Sequence, residues 1–202
     1  AMPEGADAVV MVATIRALKM HGGLAKNELG EENLEALEKG IPNLLRHVSN
    51  IKNVYKLPCM VAVNRFPTDT DKEVDFIIEK CKELGVNVRL STVWAEGGKG
   101  GEELAKEVVR LCEQEDSTGF TFSYNAEDTI EQKLRDIVQK VYGGKDVVIL
   151  PAAQKQIAKL QEIGCDKLPV CVAKTQYSFS DDPTKLGAPE DFTVTVLIFM
   201  IH

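Results

Sequence analysis

Long apolar runs alternate with helical repeats along this chain, and that alternation restricts its fold more than any other feature. Residues 6–14 (ADAVVMVAT) and 57–64 (LPCMVAVN) are nearly unbroken apolar runs. Such runs are typical of strands covered on both faces in a parallel sheet. A shorter third strand is predicted at residues 86–91. A segment with helical spacing follows each strand, which indicates right-handed strand–helix–strand units.

These units predict an α/β fold, with a mostly parallel sheet and helices on both faces, in Rossmann-like or P-loop NTPase-like layers. The first long helix is predicted over residues 31–55, and Pro42 lies inside it. Because proline has no N–H to donate, we expect a kink or break there. The next helix begins at Thr70, where Glu73 completes a possible capping box, and it ends at Gly85.

Beyond residue 115 the alternation continues with shorter segments. Two helices are predicted at 129–142 and 151–164, and strands are predicted at 120–124, 147–150, 169–174 and 192–201. We interpret residues 1–116 as one set of strand–helix units. Residues 117–202 continue it, in the same structural unit or in a closely packed second domain. Apolar strands close to both chain ends indicate a fold truncated at both ends.

Composition excludes several classes of protein. The chain has 202 residues with a net charge of -7 and no basic cluster, so nucleic acid is not an expected partner. Its longest apolar run is about six residues, against the roughly 20 that a membrane helix needs. No signal peptide is expected. The five cysteines show no CxxC spacing, which favours a reducing cytoplasm without zinc sites or disulfides.

Parallel sheets bind ligands beyond the carboxyl ends of their strands, so the loops that begin at Thr14, Asn64 and Ser91 are the candidate site. The first loop carries Arg16, Lys19 and His21, followed by two glycines. These residues are suited to holding phosphate or carboxylate oxygens. The alternative is a solvated turn with surface charges.

The second and third loops each carry an aromatic residue. Phe66 and Pro67 follow the second strand, and Trp94, the only tryptophan, precedes a Gly-rich stretch. Two aromatic rings on neighbouring loops are suited to holding a planar heterocycle between them. The alternative is that Phe66 packs under its loop while Asp69 or Thr70 caps the next helix. The Gly-rich stretch contains Lys99 but lacks the GxxxxGK[ST] order of a phosphate-binding loop.

A further polar segment, residues 174–183 (KTQYSFSDDP), follows the strand predicted at 169–174. Its hydroxyl, amide and carboxylate groups are compatible with a polar ligand, an interface or a well-bonded turn. No Ser–His–Asp or Cys–His pairing is recognisable, so no catalytic residue is assigned.

Several motifs together make the sequence similar to one enzyme family. In order they are RALKMHGG (16–23), NRFPTDT (64–70), VWAEGGKGG (93–101), LPVCVAKTQYSFSDDP (168–183) and LGAP (186–189). The chain resembles formate–tetrahydrofolate ligase, particularly its bacterial members, from about residue 5 to 196. The resemblance implies a cytoplasmic enzyme of one-carbon metabolism. It phosphorylates formate with ATP and forms 10-formyltetrahydrofolate through formyl phosphate.

The resemblance also implies roles for particular residues. Phe66, Pro67 and Trp94 correspond to the family's folate pocket, in agreement with the stacking argument. A nucleotide or phosphate cleft is implied for Arg16, Lys19, His21, Asn64, Lys174 and Gln176. Tetrahydrofolate, formate and ATP with Mg²⁺ are the implied substrates, and none is expected to be tightly bound.

The chain departs from the family in two places. The family's Gly-rich nucleotide loop has no counterpart here, and residues 197–202 (LIFMIH) diverge. Because phosphoryl transfer depends on positioned cations and N–H groups, we expect a fragment that is inactive alone. One alternative is a folate-binding or complementing subunit, which associates with a separately encoded N-terminal piece or with itself. Another is a fragment of a P-loop nucleotide hydrolase, since Asn64, Arg65 and Asp69 resemble the NKxD motif of GTPases.

Overall fold

The structure, a computed structural model, describes residues 5–172 and 177–197. It divides into two compact units, Met2–Thr121 and Phe122–His202, and each described part has its own hydrophobic core. In the described ranges no helix has both the length and the hydropathy needed to span a bilayer.

The first unit contains a parallel three-stranded sheet in the order β1-β2-β3. Ala13 pairs with Val63, and Asn64 pairs with Ser91, so all three carboxyl ends lie at one edge of the sheet. This confirms the predicted α/β class and its mostly parallel sheet. The strands are β1 (Val9–Ala13), β2 (Cys59–Asn64) and β3 (Val88–Ser91).

In the described part of the first unit, five helices accompany this sheet, and the first three contribute buried apolar side chains to the first core. They are α1 (Ile15–His21), α2 (Leu34–Ser49), α3 (Asp71–Glu83), the short α4 (Val93–Glu96) and α5 (Glu102–Gln114). A π-helical segment, Asn50–Val54, extends α2, and a 3-10 segment, Gly97–Gly101, joins α4 to α5.

The expectation that the first strand is covered on both faces is wrong. Val12 is 66% exposed, and Val10 beside it on the same face is also exposed. β2 differs, because Met60 and Ala62 are buried on that face and Val61 and Val63 are buried on the other. The physical reason is position, since β1 is at the edge of the described sheet and β2 is at its centre.

Of the kink or break predicted at Pro42, the break is wrong. α2 continues from Leu34 to Ser49 with Pro42 exposed inside it. A missing backbone hydrogen bond weakens the helix locally. Burial of an apolar stripe on the opposite face outweighs that loss, and the stripe comprises Leu37, Ile41, Leu44 and Val48.

Helices α1 and α2 touch backbone to backbone. A Cβ atom built on Gly40 would lie 1.8 Å from the carbonyl oxygen of Leu18, and one on Gly22 would lie 1.8 Å from that of Ala36. Neither position accepts a side chain unless the helices separate. Two glycines therefore fix the spacing between these helices.

A buried ion pair joins α1 to α3. Lys19 Nζ lies 2.9 Å from Glu73 Oε1, and both side chains are 0% exposed. Lys19 also donates to the carbonyl oxygen of Glu31, and Glu73 accepts from the backbone N–H of Asn33. The partners of the pair lie on α1, on the segment that leads into α2, and on α3. The pair therefore fixes these three elements relative to one another.

The start of α3 matches its prediction. The hydroxyl of Thr70 accepts the Glu73 backbone N–H, and the Glu73 carboxylate accepts the Thr70 N–H, which completes the capping box. Burial pushes the pKa of Glu73 upward. Hydrogen bonds from Lys19, Thr70 and Asn33 outweigh that effect and hold its pKa below the usual value. At the other end, Gly85 has a φ of 64°, as predicted.

The second unit has a parallel pair, β4 with β5, packed with two helices. The elements are α6 (Ile130–Ile137), extended by a π-helical segment at Val138–Tyr142, then β4 (Asp146–Ile149), α7 (Pro151–Glu162) and β5 (Thr193–Val196). No strand forms at the predicted 120–124, where the chain is irregular at 120–122 and bends at 123–124, and Thr121 bonds to the carbonyl oxygens of Val54 and Tyr55. Residues 169–172 are not a strand either, and 173–174 and 198–201 lie outside the described residues.

We predict that Gly40→Ala lowers the free energy of unfolding by about 1–3 kcal/mol or more, despite the higher helix propensity of alanine. The new methyl group overlaps the carbonyl group of Leu18. Urea denaturation measures the change. Gly30→Ala is the control, since no atom lies within 4 Å of a Cβ there. Equal stabilities of the two variants would contradict the contact.

We predict that Lys19→Met lowers the free energy of unfolding by about 3–5 kcal/mol, because it leaves the Glu73 carboxylate buried without its counter-charge. Lys39→Met breaks an exposed pair with Glu35 and changes stability by less than about 1 kcal/mol. The double variant Lys19→Met/Glu73→Gln recovers part of the loss. Additive effects of the two substitutions would show that the pair is not coupled.

Candidate functional site

The loops after β2 and β3 bring two aromatic rings together at the carboxyl edge of the first sheet. The ring centroids of Phe66 and Trp94 are 6.5 Å apart, and the ring planes are 22° apart. This is a stacked arrangement near the upper end of the usual 4.5–7 Å range. The predicted proximity of the two rings is therefore observed.

Phe66 begins a tight turn whose shape depends on Asp69. The Phe66 N–H donates to Asp69 Oδ2 at 2.8 Å, and the Asp69 N–H donates to the Phe66 carbonyl oxygen at 3.0 Å. Pro67 and Thr68 form the exposed tip of this turn. Proline suits the second position of such a turn because its φ is already fixed. The turn holds the phenyl ring at the edge of the sheet.

The indole of Trp94 is held at one end and open elsewhere. Trp94 Nε1 donates to the carbonyl oxygen of Arg65 at 2.8 Å, while 57% of the residue's surface is exposed. The sequence predicted that Trp94 lies on a loop, and this is wrong, because it belongs to the four-residue helix α4. That helix forms where Thr92 accepts the N–H groups of Ala95 and Glu96. Its Gly-rich continuation leaves Lys99 exposed.

Arg65 is a site residue to which the stacking argument gave no role. Its guanidinium donates to Asp71 Oδ1 at 2.7 Å and to the Asp69 carbonyl oxygen at 3.3 Å. Its own carbonyl oxygen receives the Trp94 indole. Arg65 therefore connects the two aromatic loops to the start of α3. The sequence signal that could have predicted this role is the position of Arg65. It directly follows a buried strand and precedes the acidic start of a helix by six residues.

Arg16 was expected on the first loop, and this is wrong, because it belongs to helix α1, from which it contacts Phe66. Its Cζ is 4.8 Å from the centroid of the Phe66 ring, a cation–π contact, and its Nη2 donates to the Thr68 hydroxyl at 3.1 Å. α1 positions it, since Thr14 caps this helix through a hydrogen bond from the Ala17 N–H. The first and second predicted loops therefore meet at Phe66.

Two buried polar atoms at this site have no hydrogen-bond partner among residues 5–172 and 177–197. They are Arg16 Nε and Asp69 Oδ1. Asp69 is only 4% exposed. Burial raises the pKa of this carboxyl group above its ordinary value, against the effect of the Phe66 N–H, and the charge of Glu73 adds to the rise.

The remaining predicted phosphate-binding residues have different surroundings. Lys19 is enclosed with Glu73, so its ammonium group contacts protein atoms only. His21 is the last residue of α1 and is half-buried, and Asn64 ends β2 beside Ser91. Lys174 and Gln176 lie outside the described residues.

The sequence profile of formate–tetrahydrofolate ligase matches residues 3–201, which is nearly the whole chain. The chain belongs to the formate–tetrahydrofolate ligase family. The match covers both units and every loop described above.

Formate–tetrahydrofolate ligases are enzymes of folate and one-carbon metabolism, and the family implies tetrahydrofolate, formate and ATP with Mg²⁺ as substrates. Tetrahydrofolate carries a flat, partly polar pterin ring system. Phe66 is half-buried and Trp94 is exposed, so part of the aromatic pair is open to solvent.

Two histidines of the first unit make the stability of this ligase-family chain sensitive to pH. Burial lowers the pKa of His21. Burial also lowers the pKa of His47, and the nearby charge of His21 lowers it further. The folded chain therefore resists protonation at both sites.

We predict that the free energy of unfolding decreases as the pH falls from about 7.5 to 5.5. Unfolding returns both imidazoles to an ordinary pKa near 6.5, so the unfolded chain binds protons that the folded chain does not bind. Urea denaturation at the two pH values measures this loss. His47→Gln makes the loss smaller, and an unchanged pH dependence in that variant would contradict the assignment.

Proposed function

We propose that this chain binds tetrahydrofolate at the carboxyl edge of its first sheet, with the pterin stacked against Phe66 and Trp94. The observation that carries the proposal is the stacked pair at 6.5 Å on two successive strand exits, with Phe66 half-buried and Trp94 exposed. Membership of the formate–tetrahydrofolate ligase family supports it, because a folate is a substrate of that family.

The surroundings of the pair support a bound heterocycle. Trp94 uses its only side-chain hydrogen-bond donor on Arg65, and the residue is 57% exposed. Pro67 is exposed beside Phe66 and adds an apolar wall. Covering the exposed indole surface removes apolar area from water, worth about 25 cal/mol per Å².

We further propose that the ligase reaction of this family proceeds through formyl phosphate. A formate oxygen attacks the γ-phosphorus of ATP and releases ADP. The N10 amine of tetrahydrofolate then attacks the formyl carbon, phosphate leaves, and N10 loses its proton. Positioning N10 beside the reactive carbonyl is the contribution expected of a folate site, since correct orientation is a large part of such catalysis.

The nucleotide side of the reaction has less support in this chain. Its sequence contains no GxxxxGK[ST] loop, and the ammonium group of Lys19 is bound to Glu73. Arg16, His21, Asn64, Lys174 and Gln176 stay proposed contacts for ATP or its phosphates. Phosphoryl transfer depends on positioned cations and N–H groups, so we propose that the chain alone binds folate without catalysing the reaction. A cytoplasmic location also stays a proposal.

We predict that tetrahydrofolate quenches the fluorescence of Trp94 saturably, and that Phe66→Ala abolishes the quenching by removing one stacking surface. Trp94 is the only tryptophan, so the signal has one source. Phe66→Tyr retains the quenching, because tyrosine keeps the ring. N-acetyltryptophanamide titrated in parallel corrects for absorption by the ligand.

The matched control is Phe122→Ala, which removes an exposed phenyl ring from the other unit. It leaves the quenching unchanged if the effect is local to the aromatic pair. Equal loss in Phe66→Ala and Phe122→Ala would contradict the proposed site. So would quenching that persists in full without the Phe66 ring.

We predict that the purified chain forms no 10-formyltetrahydrofolate from formate, ATP–Mg²⁺ and tetrahydrofolate above the rate without protein. Acidification converts that product to 5,10-methenyltetrahydrofolate, whose absorbance is the readout. ATP-dependent product formation that scales with chain concentration would contradict the proposal.

A further inference from the structure

The two unpartnered atoms beside the aromatic pair have opposite hydrogen-bonding character. Arg16 Nε is a donor and Asp69 Oδ1 is an acceptor, and both are buried. A buried polar group without a partner costs the folded chain stability, so proteins rarely retain one without a reason. Their occurrence together at one candidate ligand site points to a ligand that satisfies both.

We propose that Asp69 and Arg16 recognise the lactam edge of the pterin, with Asp69 Oδ1 accepting the ring N3–H and Arg16 Nε donating to the C4 carbonyl oxygen. This inference rests on the proposed folate site and deepens it. It states which edge of the pterin is hydrogen-bonded and which two residues determine the specificity for that edge.

Both residues are attached to the stacking ring itself. Asp69 holds the Phe66 backbone N–H through Oδ2 at 2.8 Å, which leaves Oδ1 as the free acceptor of the same carboxylate. Arg16 lies over the Phe66 ring at 4.8 Å. A heterocycle held against Phe66 therefore has an acceptor and a donor in its immediate surroundings. An adjacent N–H and C=O on that heterocycle are complementary to them.

The guanidinium of Arg16 is held by one exposed side-chain contact. Arg16 Nη2 donates to the hydroxyl of Thr68 at the tip of the turn, and that hydrogen bond is exposed. Solvent-exposed hydrogen bonds exchange readily with water. When Arg16 releases Thr68, its guanidinium is free to turn its Nε toward the ligand.

The chemistry of the turn predicts what Asp69→Asn does. The Phe66 N–H requires an oxygen acceptor, so it fixes the orientation of the asparagine amide. The amide NH₂ then takes the place of Oδ1. The variant therefore replaces an acceptor with a donor at the position proposed to meet ring atom N3.

Two ligands that differ only at this edge of the ring measure the effect of the substitution on binding. Folic acid has the same lactam edge as tetrahydrofolate, with N3–H and a C4 carbonyl group. Aminopterin differs from it only in having an amino group at C4, which leaves N3 as a bare acceptor. Dissociation constants for both ligands come from the Trp94 fluorescence titration at pH 7.5, on the wild-type chain and on Asp69→Asn.

The expected result is that the wild-type chain prefers folic acid by about tenfold or more, since one mismatched hydrogen bond to a charged group is of that size. In Asp69→Asn the ratio shifts toward aminopterin by about tenfold. An unchanged ratio would overturn the lactam assignment and leave the stacking proposal standing. Failure of the wild-type chain to bind either ligand would overturn both.

A second variant keeps the test decisive if Asp69→Asn does not fold, as judged by circular dichroism and thermal melting. Arg16→Lys keeps the positive charge over Phe66 but removes Nε. It lowers affinity for folic acid more than for aminopterin if Nε donates to the C4 carbonyl group. An equal effect on both ligands would overturn the role of Arg16.

Discussion

The buried ion pair between Lys19 and Glu73 is the contact on which the first unit depends. Two fully enclosed charges lose their hydration, and they are tolerated because each also has backbone partners. Glu73 in addition completes the cap of α3. One carboxylate therefore fixes the end of α1, the start of α2 and the start of α3.

The candidate site is built directly on that junction. Arg16, which lies over Phe66, precedes Lys19 by three residues on α1, the helix that the ion pair joins to α3. Thr70, the cap residue bound by Glu73, directly follows the turn that presents Phe66. The buried pair of Lys19 and Glu73 thus supports the elements that carry Arg16 and Phe66. These are the cation and the aromatic ring that are proposed to contact folate. Lys19 acts on the site through position rather than by touching a ligand.

The sequence predicted much of this arrangement because local and long-range signals agreed. The capping box at Thr70 is a local hydrogen-bond pattern, and the apolar run at 57–64 predicted the central strand. Parallel connection then placed Phe66 and Trp94 at one edge. Their roles in binding stay predictions, as do those of Pro67 and the cleft residues.

Other features depended on contacts that periodicity does not contain. The exposure of Val12 follows from the edge position of β1. Lys19, which follows a strand in the pattern of a phosphate ligand, is instead enclosed by a carboxylate 54 positions along the chain. The sequence also did not predict that Asp69 Oδ1 is buried without a hydrogen-bond partner, because an aspartate before a helix usually indicates no more than a cap.

The central claim is that a pterin stacks on the aromatic pair, and the indole N–H resonance of Trp94 tests it most directly. The chain has one tryptophan, so ¹⁵N-labelled protein gives one such resonance, from a group that donates to Arg65. If the pterin stacks on Trp94, tetrahydrofolate shifts this resonance saturably by its ring current. A resonance that stays in place at millimolar tetrahydrofolate, while the protein remains folded, would contradict it.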